Sequence, residues 1–363
     1  MGFDADRELG LSLMKQVHDY GGRACGCASF MLCINYLFVP RALQSREKNL
    51  EEVGPILDKI ARMFPVGGFF KFIHSHYCLK SGDTDGALDY LNQAVDLISQ
   101  ASGTTPNNYL FELALLNILT LNFSDAATVL KQLVETTKEF ESQGIATLEL
   151  AVCKLKMGDK EGADNLIKNL HKTTHKANKF ALDKIELLKH IDSTEEKHTL
   201  VFLSIFELMY LRRDLANLKV EHAEPLYQVF LEDVCKGAKV DEKSKAAGDI
   251  EAGIHVVKGQ FLRQLGKRAE SDEEFHKALL LESKVRHEKQ WIAFSYYELA
   301  ETMYLMDVKA LEQPKEKKLE LLNEVKKNLD KCNKLSGYPY EEVLHTRVKL
   351  ALKQVEAEIK ESK

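Results

Sequence analysis

Small and apolar residues recur along this chain at the spacing two closely crossing helices require. Ser75 is followed twelve positions on by Ala87, from which Leu91 and Ala94 continue one helical face at offsets of four and three. Ala114 stands in the same relation to Ala126, Leu130 and Leu133, and Ala151 to Ala163, Ile167 and Leu170. Gly259 stands so to Ser271, Phe275 and Ala278. Gly82-Asp83, Phe123 to Asp125, Gly158-Asp159 and Leu265-Gly266 lie between the two halves and are predicted turns. One match of this kind is weak; four with the same internal offsets predict a series of helical hairpins.

A helix pair in about 34 residues is the tetratricopeptide unit. Here 39 residues separate Ala87 from Ala126 and 37 separate Ala126 from Ala163, so the hairpins are slightly long. The gap of 108 from Ala163 to Ser271 has room for about three more units with a degenerate pattern. Within it, Phe180 to Leu188 predicts one amphipathic helix, Leu200 to Leu218 a strong apolar one, and Pro225 opens another through Val234. Gly237 to Gly248 is charged and poor in apolar residues, which predicts a loop. Trp291 to Met306 predicts a helix, broken by Gln313-Pro314 and a lysine-rich stretch, with Leu319 to Leu329 as its partner. Leu344, Val348, Leu352, Val355 and Ile359 line one face of a closing helix. The expected fold is an all-α solenoid of tetratricopeptide-like helical hairpins, wound as a right-handed superhelix. Its divisions are N-terminal helices over 1–60, three units over 61–172, a degenerate middle over 173–250, two hairpin units over 251–335 and a cap over 336–363.

Composition narrows the function classes. With 45% hydrophobic and 29% charged residues the chain is globular, and a net charge of -5 gives no basic footprint for nucleic acid or an anionic membrane. The most apolar run, Phe30 to Val39, contains Asn35 and ends at Pro40, too short for a bilayer that needs about 20 residues; it predicts a buried helix. The start of the chain has no signal- or transit-peptide pattern. The odd set of seven cysteines predicts reduced thiols and a cytoplasmic location.

Candidate chemistry is sparse. His74 and Cys78 share a helical face, but no second pair with ligand spacing accompanies them, and Cys25, Cys27 and Cys33 form no complete set either. Gly21 to Gly26 is glycine-rich but lacks the Lys-Ser/Thr ending of a phosphate loop. Glu51-Glu52 and Asp272-Glu273-Glu274 predict solvated faces, as do Lys315 to Lys318 and Lys326-Lys327. Trp291, Phe294, Tyr296 and Tyr297 suit a core, with a concave peptide groove as the alternative. No catalytic residue, cofactor or metal site is predicted.

Several segments carry a family resemblance. Gly2-Phe3 with Arg7-Glu8-Leu9-Gly10-Leu11, Phe64-Pro65 with Phe69 to Ala87, and Phe206 to Leu211 resemble, in order, blocks of the tetratricopeptide repeat protein 39 family, which includes the fungal inclusion body clearance proteins. Lys258-Gly259 through Leu280, Glu298 to Ala300 and Leu335 to Leu350 resemble its later repeat, closing hairpin and cap. The family usually continues the Phe206 block with Trp-Asn, where this chain has Arg212-Arg213. Members usually carry a further helical region before the Gly-Phe segment, which implies an open apolar face on the first helices here. The expected architecture, stacked hairpins with an extended concave face, predicts a non-enzymatic scaffold or adaptor with a protein or peptide partner. The alternative the resemblance implies is a peripheral factor at an organelle surface in lipid or inclusion-body handling. In both, no nucleic acid and no integral membrane segment are expected.

Overall fold

A computed structural model describes residues 6–39, 43, 47–136, 140–236, 244–309 and 314–362. Among them the chain forms 17 α-helices and no strand. It divides into two compact units, residues 1–39 with 45–113 and residues 40–44 with 114–363.

The first unit contains α1 (Arg7–Tyr20), α2 (Cys25–Leu37), α3 (Glu47–Met63), α4 (Gly68–Lys80) and α5 (Thr84–Ser102), and the start of α6 (Asn107–Leu119). Leu32, Cys33 and Leu37 of α2, Val53, Ile56 and Leu57 of α3, and Ile73 of α4 form its core. The Phe30–Val39 run thus belongs to a helix that begins earlier, at Cys25, and buries one side while Met31 and Phe38 stay exposed. Leu9, Leu13 and Val17, one face of α1, are 56%, 51% and 40% exposed.

The second unit continues with α7 (Phe123–Thr136), α8 (Gln143–Lys156), α9 (Lys160–Thr173), α10 (Lys179–Leu188), α11 (Thr194–Leu211) and α12 (Val220–Phe230). It ends with α13 (Ala247–Gln264), α14 (Arg268–Leu280), α15 (Gln290–Met303), α16 (Lys315–Lys334) and α17 (Glu341–Ser362). Neighbours in sequence pack as antiparallel pairs, chiefly α8 with α9, α13 with α14, α15 with α16 and α16 with α17.

Local chemistry explains where these helices start. Asp83 and Asp159 cap α5 and α9 by accepting the N–H of Gly86 and of Gly162, each at 2.9 Å. The residue before each cap, Gly82 or Gly158, is left-handed at φ 79° or 82°.

Several expected boundaries move. In the second repeat the turn lies at Leu121 (φ 64°) and Asn122, and Phe123 to Asp125 already belong to α7. Pro225 lies inside α12, which starts at Val220; the partner its missing N–H would leave is the carbonyl of Glu221, on an exposed residue of the first turn, where water can reach. Gly248 is helical, because α13 begins at Ala247 and passes so close to Lys284 that a Cβ at 248 would sit 2.6 Å from its carbonyl oxygen. The rest of that predicted loop, through residue 243, lies outside the described residues, as does Gln313. Lys315 to Lys318 form the first turn of α16; Pro314, with extended ψ of 145°, stands directly before it as its N-cap.

Candidate functional site

The repeat positions read from the sequence meet at the helix crossings. Ser75 Oγ donates to the Ala87 carbonyl at 2.7 Å, and Ser271 Oγ donates to the Gly259 carbonyl at 2.8 Å. These are two of the pairs twelve residues apart, bonded in opposite senses across the crossing of α4 with α5 and of α13 with α14. In the other two repeats both members are alanine, all four buried. Leu91, Ala94, Leu130, Leu133, Leu170, Phe275 and Ala278 are buried beside them, and Ile167 is half-buried. These residues pack helices; none of them carries a reactive group into a cleft.

The clusters considered for chemistry are packing elements too. His74 stacks flat on Tyr90, ring centres 3.9 Å apart, and burial lowers its pKa. Burial pushes the Cys78 thiol up to about 12 and the Cys33 thiol likewise. No group of three or more metal-ligating side chains occurs among the described residues. Trp291, Phe294, Tyr296 and Tyr297 are buried in α15, so they are core and line no groove. Of Asp272-Glu273-Glu274, Glu273 is exposed and Asp272 half-buried, while Glu274 is buried and departs from the expected solvated face. Glu274 lies between His255 Nδ1 at 2.6 Å, Lys258 Nζ at 3.0 Å and Lys277 Nζ at 3.1 Å. Burial opposes its charge, but these three hydrogen bonds prevail and hold its carboxyl at about 2.

Two ionic networks inside the second unit were not foreseen. Asp249 of α13 accepts the N–H of Arg286, His287 and Glu288, at 2.7 Å for the last. That fixes Glu288, which reaches Lys184 of α10 at 2.5 Å and accepts from Trp291 Nε1 at 3.1 Å. Lys184 also pairs with Glu207 of α11, and all three side chains are fully buried. Burial pushes the Glu207 carboxyl upward, Glu288 adds to this, and Lys184 opposes it. The second network joins Arg213, at the end of α11, to Glu301 at 2.9 Å, and Arg263 of α13 to Glu298 and Glu301 of α15. Tyr210 and Tyr297 hydroxyls donate to Glu298 and Glu301 at 3.1 and 3.0 Å. The sequence did hold a signal: Glu207 is the one charged residue in the run from Leu200 to Leu211, and Lys184 falls on the same side of α10 as Phe180, Ala181 and Leu187. A charge on an apolar face needs a partner.

Among the described residues, a surface cavity of about 500 Å³ lies between α9, α10 and α11. Its floor is Leu170, buried, with Ile167, Ile185 and Leu188 half-buried. Lys168, His171, Lys189 and Lys197 stand around it. The one lining carboxylate, Asp164, is taken by His198 Nε2 at 2.6 Å. The cavity lies beside α10, which has 10 residues where α9 has 14, a shortfall of about 6 Å at the usual rise per residue.

No described helix is long and apolar enough to cross a membrane. No curated protein matches the chain. Among solved structures it is similar to the TPR2AB domain of yeast Sti1 in complex with pHSP90, at 13% identity, covering 78% of this chain and 98% of that one with a TM-score of 0.26. It is also similar to the TPR domain of P58(IPK), at 16% identity, covering 99% of both chains, again with a TM-score of 0.26. Superposition this weak says nothing of what this chain binds. The family model of Iml2/Tetratricopeptide repeat protein 39 matches residues 1–265 and stops at the end of α13, short of Ser271 and of the closing hairpin. With most of its length so matched, and all-helical hairpins throughout its described residues, the chain belongs to the Iml2/tetratricopeptide repeat protein 39 family.

Proposed function

We propose that this chain is a non-enzymatic scaffold that binds a protein or peptide partner on the surface of its tetratricopeptide-like hairpins. The observation that carries this reading is the family membership together with what the hairpins do with their polar groups. The buried charges are spent on fastening helix to helix, as at Lys184, Glu207, Glu274 and Glu301. Stacked hairpins leave long helix surfaces on which a partner can make many modest contacts. We place the protein in the cytoplasm. In support, all seven cysteines are unpaired, the pattern of a reducing compartment.

The test is affinity capture of the tagged full chain with identification by mass spectrometry, followed by titration of each recovered protein into the purified chain. At least one recovered protein should bind saturably. If none binds the purified chain directly, the scaffold reading is wrong.

A further inference from the structure

We propose that the cavity between α9, α10 and α11 is a docking groove for an acidic, amphipathic segment of a protein partner; this rests on the scaffold reading and names the partner's chemistry. Two observations carry it, the apolar floor and the unpaired charge at its rim. The floor of Ile167, Leu170, Ile185 and Leu188 is apolar and concave, so it takes side chains that enter it; a flat bilayer would not reach its half-buried carbons. Around it, neither Lys168 nor Lys197 forms an ion pair among the described residues, and Asp164 is held by His198. Lys189, the third lysine of the lining, is held by Glu186 at 2.6 Å, so the uncompensated charge at the rim is that of Lys168 and Lys197. A free phosphate would satisfy the lysines but leave the apolar floor wet. A neutral apolar segment would fill the floor but leave the lysines without partners. A helix or extended strand with leucine-like anchors on one side and carboxylates beside them satisfies both.

The experiment is fluorescence anisotropy with the purified full chain and a labelled helical peptide bearing Leu at i, i+4 and i+7 and Glu at its other positions. Its counterpart with Lys for every Glu is the charge control, and vesicles containing phosphatidylserine are the membrane control. Lys168→Glu with Lys197→Glu reverses the rim without touching the core, and circular dichroism checks that the helices persist. Lys317→Glu, in α16, is a distant control. The Glu peptide should bind, the Lys peptide should not, and the double reversal should weaken binding by roughly tenfold or more while Lys317→Glu leaves it unchanged. The proposal is overturned by no binding of the Glu peptide, by equal binding of the Lys peptide, by a double variant that binds as well as the unchanged chain, or by binding to vesicles alone. None of these results depends on which proteins the capture experiment recovers, so the groove can fail while the scaffold reading stands.

Discussion

Leu121 holds a backbone conformation that glycine holds in three equivalent turns. The residue five before each repeat face is Gly82, Leu121, Gly158 or Gly266, with φ of 79°, 64°, 82° and 74°. A left-handed residue other than glycine carries about 1–2 kcal/mol of strain. This inverts the usual ranking: in an ordinary helical position Gly is worse than Ala by about 0.5–1 kcal/mol, whereas Leu121→Gly is expected to be more stable than Leu121→Ala by about 1 kcal/mol, as urea denaturation would measure. Equal stability, or Ala ahead, contradicts the conserved geometry of the turn. The equivalence was legible at the three glycines and hidden at Leu121, because an apolar residue ending an apolar helix gives no turn signal. Glu274 makes a second claim at this scale. Its folded pKa of about 2 lies below the ordinary 4.5, so its contribution is present above pH 4.5 and is lost as the pH falls toward 2. That contribution is roughly 3 kcal/mol. Glu274→Gln should therefore lower stability at neutral pH and flatten the fall between those values; an unchanged acid limb would refute the three-partner arrangement.

At the scale of elements, buried charge joins helices that hydrophobic pattern alone leaves unassigned. α10 is short and lysine-rich in its surroundings, and its sequence gives only an amphipathic helix of unknown orientation. Lys184 settles that orientation by meeting Glu207 of α11 and Glu288 ahead of α15. Lys184→Met should cost about 3–5 kcal/mol, since it strands two buried carboxylates, and adding Glu207→Leu should restore part of the loss. A single variant as stable as the unchanged protein would mean that the pair is not buried in solution. The sequence located most helices because their periodicity is local. It missed the start of α12 and the extent of α13, where a proline and a glycine suggested breaks that long-range contacts override. Arg213 is the related case in the second network: it is left-handed at φ 63°, a state that asparagine tolerates better, yet its guanidinium reaches Glu301 at 2.9 Å. Asparagine would suit this backbone better; the arginine found here adds an ion pair.

For the whole molecule, fold class and family were readable because repetition multiplies a weak signal. The place where a partner sits was not. The aromatic run is core, the first of its two readings, and the open cavity lies beside a short helix, which no residue pattern announces. The central claim, that a partner binds on the hairpins themselves, is tested most directly by amide hydrogen exchange of the full chain alone and saturated with a captured partner. The account predicts slowed exchange over helices of the repeat array, with α9 to α11 among them if the groove is the site. Unchanged exchange in every peptide of the array, under conditions where the partner is bound, would contradict it.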